Sequence, residues 1–177
     1  MRFDTADLAN LETGGLLQLV ILHEMGHVLG VGTLWPTFGL LTGAGGADPF
    51  FTGVQARAAF DQIGGAGYTA GGKVPVENTG GGGTRDAHWR ESVFATELMT
   101  GFISNGSNPL STVTIGQFGD EGYSFNLGAA DVYTVPLMMG PAARASGMTV
   151  HLVNDILNAP IVVADEKGRV IRVIPPK

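Results

Sequence analysis

Apolar residues crowd positions 16–29: Leu16, Leu17, Leu19, Val20, Ile21, Leu22, Met25, Val28 and Leu29. They fall on nearly every side of a helical wheel. This pattern predicts a helix buried through the middle of a domain rather than one lying on its surface. Thr13, just ahead of Gly14-Gly15, is placed to cap its start, and Gly30 supplies a left-handed residue to end it. A shorter helix is expected over 3–12, with Asp4 as its cap and Leu8 and Leu11 facing inward. Another is expected near 53–63, where Thr52 and Gln55 have capping-box spacing ahead of Val54, Ala58, Phe60 and Ile63. Residues 89–101 read as a short helix and a turn. A further helix runs from 111 to about 121, capped by Ser111 and stopped by Gly122.

Beyond Pro136 the pattern thins. Thr149-Val150-His151-Leu152-Val153 reads as a strand, which makes His151 a strand histidine. The β-rich runs at 161–164 and 169–174 flank Asp165-Glu166-Lys167-Gly168 and read as a hairpin. No internal repeat is visible. The expected class is α+β, helix-rich, with a long glycine-rich insert and a C-terminal β-hairpin.

Composition narrows the partners. A chain of 177 residues can bury one good core, and nothing suggests two independent ones. The formal charge is −6 and the ten basic residues are scattered, which argues against nucleic acid as a ligand. There is no cysteine, hence no disulfide, thiolate metal site or cysteine nucleophile, and this leaves the compartment open. Many of the 28 glycines lie between positions 39 and 83. That stretch keeps Pro49, Phe50, Phe51, Phe60, Tyr68, Val74 and Val76 to pack, so the insert at 33–87 is a loop-rich segment of the fold rather than a low-complexity tail. The apolar run at 16–22 contains Gln18 and leads straight into His23 and Glu24. It is too short and too polar to be a transmembrane segment, and no signal peptide is present in this chain.

Within the first helix, His23-Glu24-Met25-Gly26-His27 has the HExxH spacing. Side chains four apart lie about 40° from each other around a helix, so both imidazoles can reach one metal ion. Glu24 stands beside them, placed to hold a water and take its proton. Two neutral imidazoles, a water and a nearby carboxylate suit zinc. Two satisfied core histidines are the plainer reading. It leaves three costly polar groups on a greasy helix without a reason. A catalytic zinc needs a third protein ligand. Position 33, three residues after Gly30, holds threonine, so that ligand lies farther along. The remaining histidines are His88 and His151, and Glu77, Glu91 and Glu97 are carboxylate competitors.

Three segments, HEMGHVLGVGTLW at 23–35, VPVENTGGGG at 74–83 and AHWRESVFATELMTGF at 87–102, together resemble the leishmanolysin family of metzincin-type zinc metallopeptidases. A weaker likeness continues to about position 131. The resemblance implies one catalytic zinc ion held by His23, His27 and His88, with Glu24 as general base and Met99 in the methionine turn below the metal. It ranks His88 above the glutamates, because Gly30 and the Met99 turn both fit that kind of site. It implies a metzincin-like core over 1–135 and an extension over 136–177 that packs on it. It also implies protein or peptide substrates, hydrolysed by a metalloendopeptidase that works outside the cell or at its surface. No strand run long enough for the sheet that zincins place ahead of the catalytic helix precedes position 16. The expectation is a partial core without its upper sheet, with a catalytically inactive zinc-binding remnant as the alternative to an active peptidase. Substrate preference and oligomeric state are not legible.

Overall fold

The computed structural model describes residues 5–136, 149–152, 156 and 160–175. They form an α+β structure of short helices and small antiparallel sheets. Helices α1 (Thr5–Thr13) and α2 (Leu17–Leu29) open the chain and pack against each other. The insert carries β1 (Leu41–Thr42), β2 (Phe50–Phe51), α3 (Val54–Phe60), α4 (Ala66–Thr69) and β3 (Val74–Pro75), with β1, β2 and β3 forming one antiparallel sheet in that order. Helix α5 (Glu91–Phe94), strand β4 (Phe102–Ser104) and helix α6 (Thr112–Asp120) follow. Strand β5 (Thr149–His151) pairs antiparallel with β4, and β6 (Ile161–Ala164) with β7 (Val170–Ile174).

Helix α2 departs from expectation in two ways. Leu16 is its N-cap and no side chain caps it; the Thr13 hydroxyl instead donates to the Ala9 carbonyl of α1 at 2.7 Å. Nor is α2 enclosed on all sides. Val20, His23, Gly26 and His27 are buried, whereas Leu22, Met25, Val28 and Leu29 are exposed, Val28 by 68%. One face of the helix meets the core, and hydrophobicity all round does not say which. Gly30, at φ 138°, ends the helix as expected: its amide and that of Val31 bond back to the Gly26 carbonyl at 3.0 Å each.

Capping of α3 is also corrected. Its N-cap is Gly53, with no local side-chain bond, and Thr52 Oγ1 donates to Leu40 O instead. The cap comes from another helix: Asp120 of α6 accepts from the Gln55 and Ala56 amides at 2.8 and 3.0 Å. This ties the insert to α6, on which α3 packs. Five residues of wider helical turn, Asp61–Gly65, then bend the chain away. Helix α6 follows the sequence closely, with Ser111 Oγ accepting from the Thr114 amide at 3.3 Å and Gly122 just beyond its end. Expected residues 3 and 4, with the Asp4 cap, lie outside the described set.

The core is a run of aromatic rings. Trp35 meets Trp89 at 4.7 Å and Phe51 at 5.2 Å; Trp89 meets Phe94 at 5.6 Å; Phe94 stacks on Phe60 at 5.2 Å. All are fully buried. Both indoles also satisfy their N–H: Trp35 donates to Gln117 Oε1 and Trp89 to Thr114 Oγ1, each at 2.8 Å. At the other end of the chain, the β6–β7 hairpin forms as expected. Val162, Val170, Ile171 and Val173 stay exposed on it. His151 is in β5, its ring stacked on Phe102 at 4.2 Å. Among the described residues, no helix is long and apolar enough to cross a membrane.

Glu121, just after α6, lies against the turn at Gly30 and is 8% exposed, with neither carboxylate oxygen completing a hydrogen bond. Burial pushes its carboxyl from 4.5 up to about 8; Asp120 adds to the rise and the Gln117 side chain opposes it. The folded protein therefore keeps a proton that the unfolded chain releases above pH 4.5. Stability falls as pH rises from there to about 8 and then levels off. Glu121→Gln removes this slope. Thermal melts across that range are expected to show the variant more stable than the parent at pH 8, with the gap closing toward pH 4.5.

Candidate metal centre

Three histidines from two distant stretches of chain meet at one point. Nε2 of His27 lies 2.9 Å from Nε2 of His23 and 3.0 Å from Nε2 of His88, and the His23–His88 pair is 3.2 Å apart. All three residues are buried, His23 and His88 completely. They are close enough to hold one metal ion, and they form the one such group found among the described residues.

The opposite ring nitrogens say where one hydrogen of each ring sits. His23 Nδ1 lies 2.7 Å from the Leu98 carbonyl, His27 Nδ1 2.8 Å from the Val31 carbonyl and His88 Nδ1 3.0 Å from the Thr84 carbonyl. A carbonyl oxygen only accepts, so each Nδ1 carries the hydrogen and donates. In the neutral ring Nε2 then presents its lone pair, the form in which an imidazole ligates a metal. A cation at the centre of the three Nε2 atoms would be coordinated by all of them. Ligand nitrogens about 2.0–2.1 Å from a tetrahedral ion stand about 3.3 Å apart. The observed triangle is slightly tighter. The donor set fits a metal ion.

How does the fold bring His88 to α2? The turn after α2 approaches the chain before His88 so closely that a Cβ on Gly32 would stand 2.1 Å from the Ala87 carbonyl oxygen. Only glycine, also at φ 71° there, permits this. The His88-Trp89 segment is then held between two neighbours. Glu77 N donates to His88 O at 2.9 Å on one side, and Trp89 N donates to Met99 O at 3.0 Å on the other. Arg90 fastens the insert behind them, donating to the Val76 and Pro49 carbonyls at 2.9 Å each. On α2, Gly26 makes room for Met99: a Cβ there would stand 2.7 Å from its sulfur. The buried thioether thus packs on the helix between the two histidines. Thr33, at the position that might have held a nearer ligand, hydrogen-bonds the His27 carbonyl at 2.8 Å.

The carboxylate competitors have other partners. Glu77 accepts from the Asn78, Thr79 and Glu91 amides and from the Thr79 hydroxyl. Glu97 accepts from Met99, Ser111 and Thr114. None of Glu77, Glu91 and Glu97 belongs to the histidine group. Glu24 is half-buried, one residue beyond His23 and so about 100° farther round α2. What the sequence did not reveal is the ring of carbonyls at Val31, Thr84 and Leu98, because main-chain groups carry no sequence signature. Gly26, an unfavourable residue inside a helix, was the available hint that something packs closely there.

No family model, curated protein or solved structure matches this chain.

The purified chain is expected to bind one divalent metal ion, measured by elemental analysis after dialysis. Metal at about a hundred times its Kd should raise the unfolding free energy by about 2.7 kcal/mol. His88→Ala should lose both the bound metal and this stabilisation, while its metal-free melting stays close to that of the parent.

Proposed function

We propose that this chain is the core of a zinc-dependent endopeptidase of metzincin type, as its resemblance to the leishmanolysin family implies. One observation carries the reading: three Nδ1-anchored histidines present their Nε2 atoms to one point, two of them within HExxH on one helix with Glu24 between. Three imidazole nitrogens suit zinc over harder cations, which take oxygen ligands. Bound there, zinc supplies Lewis acidity: it polarises a peptide carbonyl and acidifies water.

The chain's own groups do the rest. His23, His27 and His88 fix the ion through three carbonyl-anchored rings, which keep the Nε2 atoms aimed without rearrangement. Glu24 is the general base. Its carboxylate takes the proton of the attacking water and hands it to the departing amine, so one group serves both halves of the hydrolysis. Substrates are proteins or peptides in extended form, and the parent protein works outside the cell or at its surface.

A second reading has its own observation in favour. The outer face of α2 shows exposed Leu22, Met25, Val28 and Leu29, and the strands among the described residues are only two to five residues long, short for aligning a peptide. A core that holds zinc without cleaving anything has the same histidines.

Hydrolysis of an unfolded protein substrate separates the two. The zinc-loaded chain should cleave it, a chelator should stop cleavage, and Glu24→Gln should slow it by at least about 100-fold with metal content unchanged. Equal cleavage by the variant would remove Glu24 from the mechanism. Metal bound at one per chain with no cleavage by the parent would favour the second reading.

A further inference from the structure

We infer that Glu97 is a positioning residue for the metal centre, its buried carboxylate setting the 97–100 turn from which the Leu98 carbonyl holds the His23 ring. The inference rests on the metal-centre reading above and adds a residue to it that is not a ligand.

Glu97 is fully buried, with no cation against it in the described contacts, yet it is richly supplied with donors. Oε1 accepts from Ser111 N at 3.0 Å, Ser111 Oγ at 2.7 Å and Thr114 Oγ1 at 2.6 Å. Oε2 accepts from Met99 N at 2.6 Å. Burial pushes the carboxyl upward from its ordinary range, and the Thr114, Ser111 and Met99 donors pull it back. Four donors and no acceptor suit an ionised carboxylate, which accepts only. Ser111 is also the N-cap of α6, so the anion sits where that helix presents free amides.

The two oxygens face in different directions. Oε1 is fixed to the start of α6, and through Thr114 to the Trp89 indole, next in sequence to His88. Oε2 reaches back over its own turn to Met99 N. The turn has further ties, since Leu98 N donates to Pro109 O at 2.9 Å and Thr100 N to Glu97 O at 3.1 Å. From this frame Leu98 O receives the His23 Nδ1 hydrogen and Met99 lies against Gly26. The carboxylate therefore connects the two things that aim ligands: the carbonyl behind His23 and the indole beside His88.

This geometry makes Glu97→Gln a directed test. The amide oxygen can replace Oε1 and keep all three of its donors. The amide NH2 then faces Met99 N–H, donor against donor, and the bond that sets the turn is lost. Zinc affinity of the full chain, read by competition with a chromophoric chelator, is expected to fall by about 10–100-fold, the range for losing a partner behind a metal ligand. The visible absorption of the cobalt-loaded chain is expected to shift, while the far-ultraviolet circular dichroism stays that of the parent. A merely structural role would lower the melting temperature and leave the cobalt spectrum unchanged.

If Glu97→Gln does not fold, Thr114→Val removes one donor from Oε1 and with it the acceptor of the Trp89 indole hydrogen, the link from Glu97 to the His88 segment, and it should weaken zinc several-fold with recovery in Thr114→Ser. Parent-like zinc affinity and cobalt spectrum in Glu97→Gln, or in Thr114→Val where that is the folded variant, overturns the role of Glu97 alone. Absence of zinc binding by the parent chain overturns the metal-centre reading and this inference with it.

Discussion

Three imidazole Nε2 atoms are held about 3 Å apart, and the rest of the site is arranged to keep them there. Each ring could turn its Nδ1–H inward, and each is prevented by a backbone carbonyl that the Nδ1–H satisfies. The carbonyls come from three separate places: Val31 in the turn after α2, Thr84 at the end of the insert, and Leu98 in the turn above α6. A main-chain carbonyl moves only when its segment moves. The aim of the three rings is thus carried by backbone, and the point on which they converge is close enough to all three to hold one metal ion.

Backbone needs support of its own, and here the core supplies it. His88 and Trp89 are consecutive, so alternation along an extended segment sends one side chain to the metal side and the other into the aromatic cluster. Trp89 packs on Trp35 and Phe94, and Trp35 follows α2 within a few residues. The same two stretches of chain that carry the histidines therefore also meet through their indoles. Misplacing one contact strains the other, which gives a reason for full burial of both tryptophans in so small a core.

What could be read from residues follows the range of the interaction. The HExxH helix, the Ser111 cap of α6 and the β6–β7 hairpin rest on neighbours three to thirteen positions apart, and their patterns are visible in a single stretch of sequence. The cap on α3 was misjudged because Asp120 provides it from 65 residues away, while Thr52 and Gln55 have the right spacing and different partners. The exposed face of α2 was equally hidden: hydrophobicity on all sides of a helix does not state which side finds a partner. The two-residue strands β1, β2 and β3 are shorter than any alternation could signal. His88 is a candidate from motif resemblance, and only the folded chain displays the close approach that Gly32 allows its segment.

Loop closure decides what the metal adds. His27 and His88 are 61 residues apart, and closing a flexible loop of that length costs roughly 4 kcal/mol. Were a metal ion the only closure, its binding energy would be spent on ordering the insert and the apparent affinity would suffer accordingly. Trp89 alone, fully buried between Trp35 and Phe94, is worth roughly 3–5 kcal/mol on truncation. Asp120 on α3 closes a loop of similar length, and Arg90 on the Val76 and Pro49 carbonyls closes shorter ones. These contacts match or exceed the closure cost before any ion arrives. The insert is held by its core, and the free energy of metal binding is left for the centre itself, where three pre-aimed lone pairs need no rearrangement to use it.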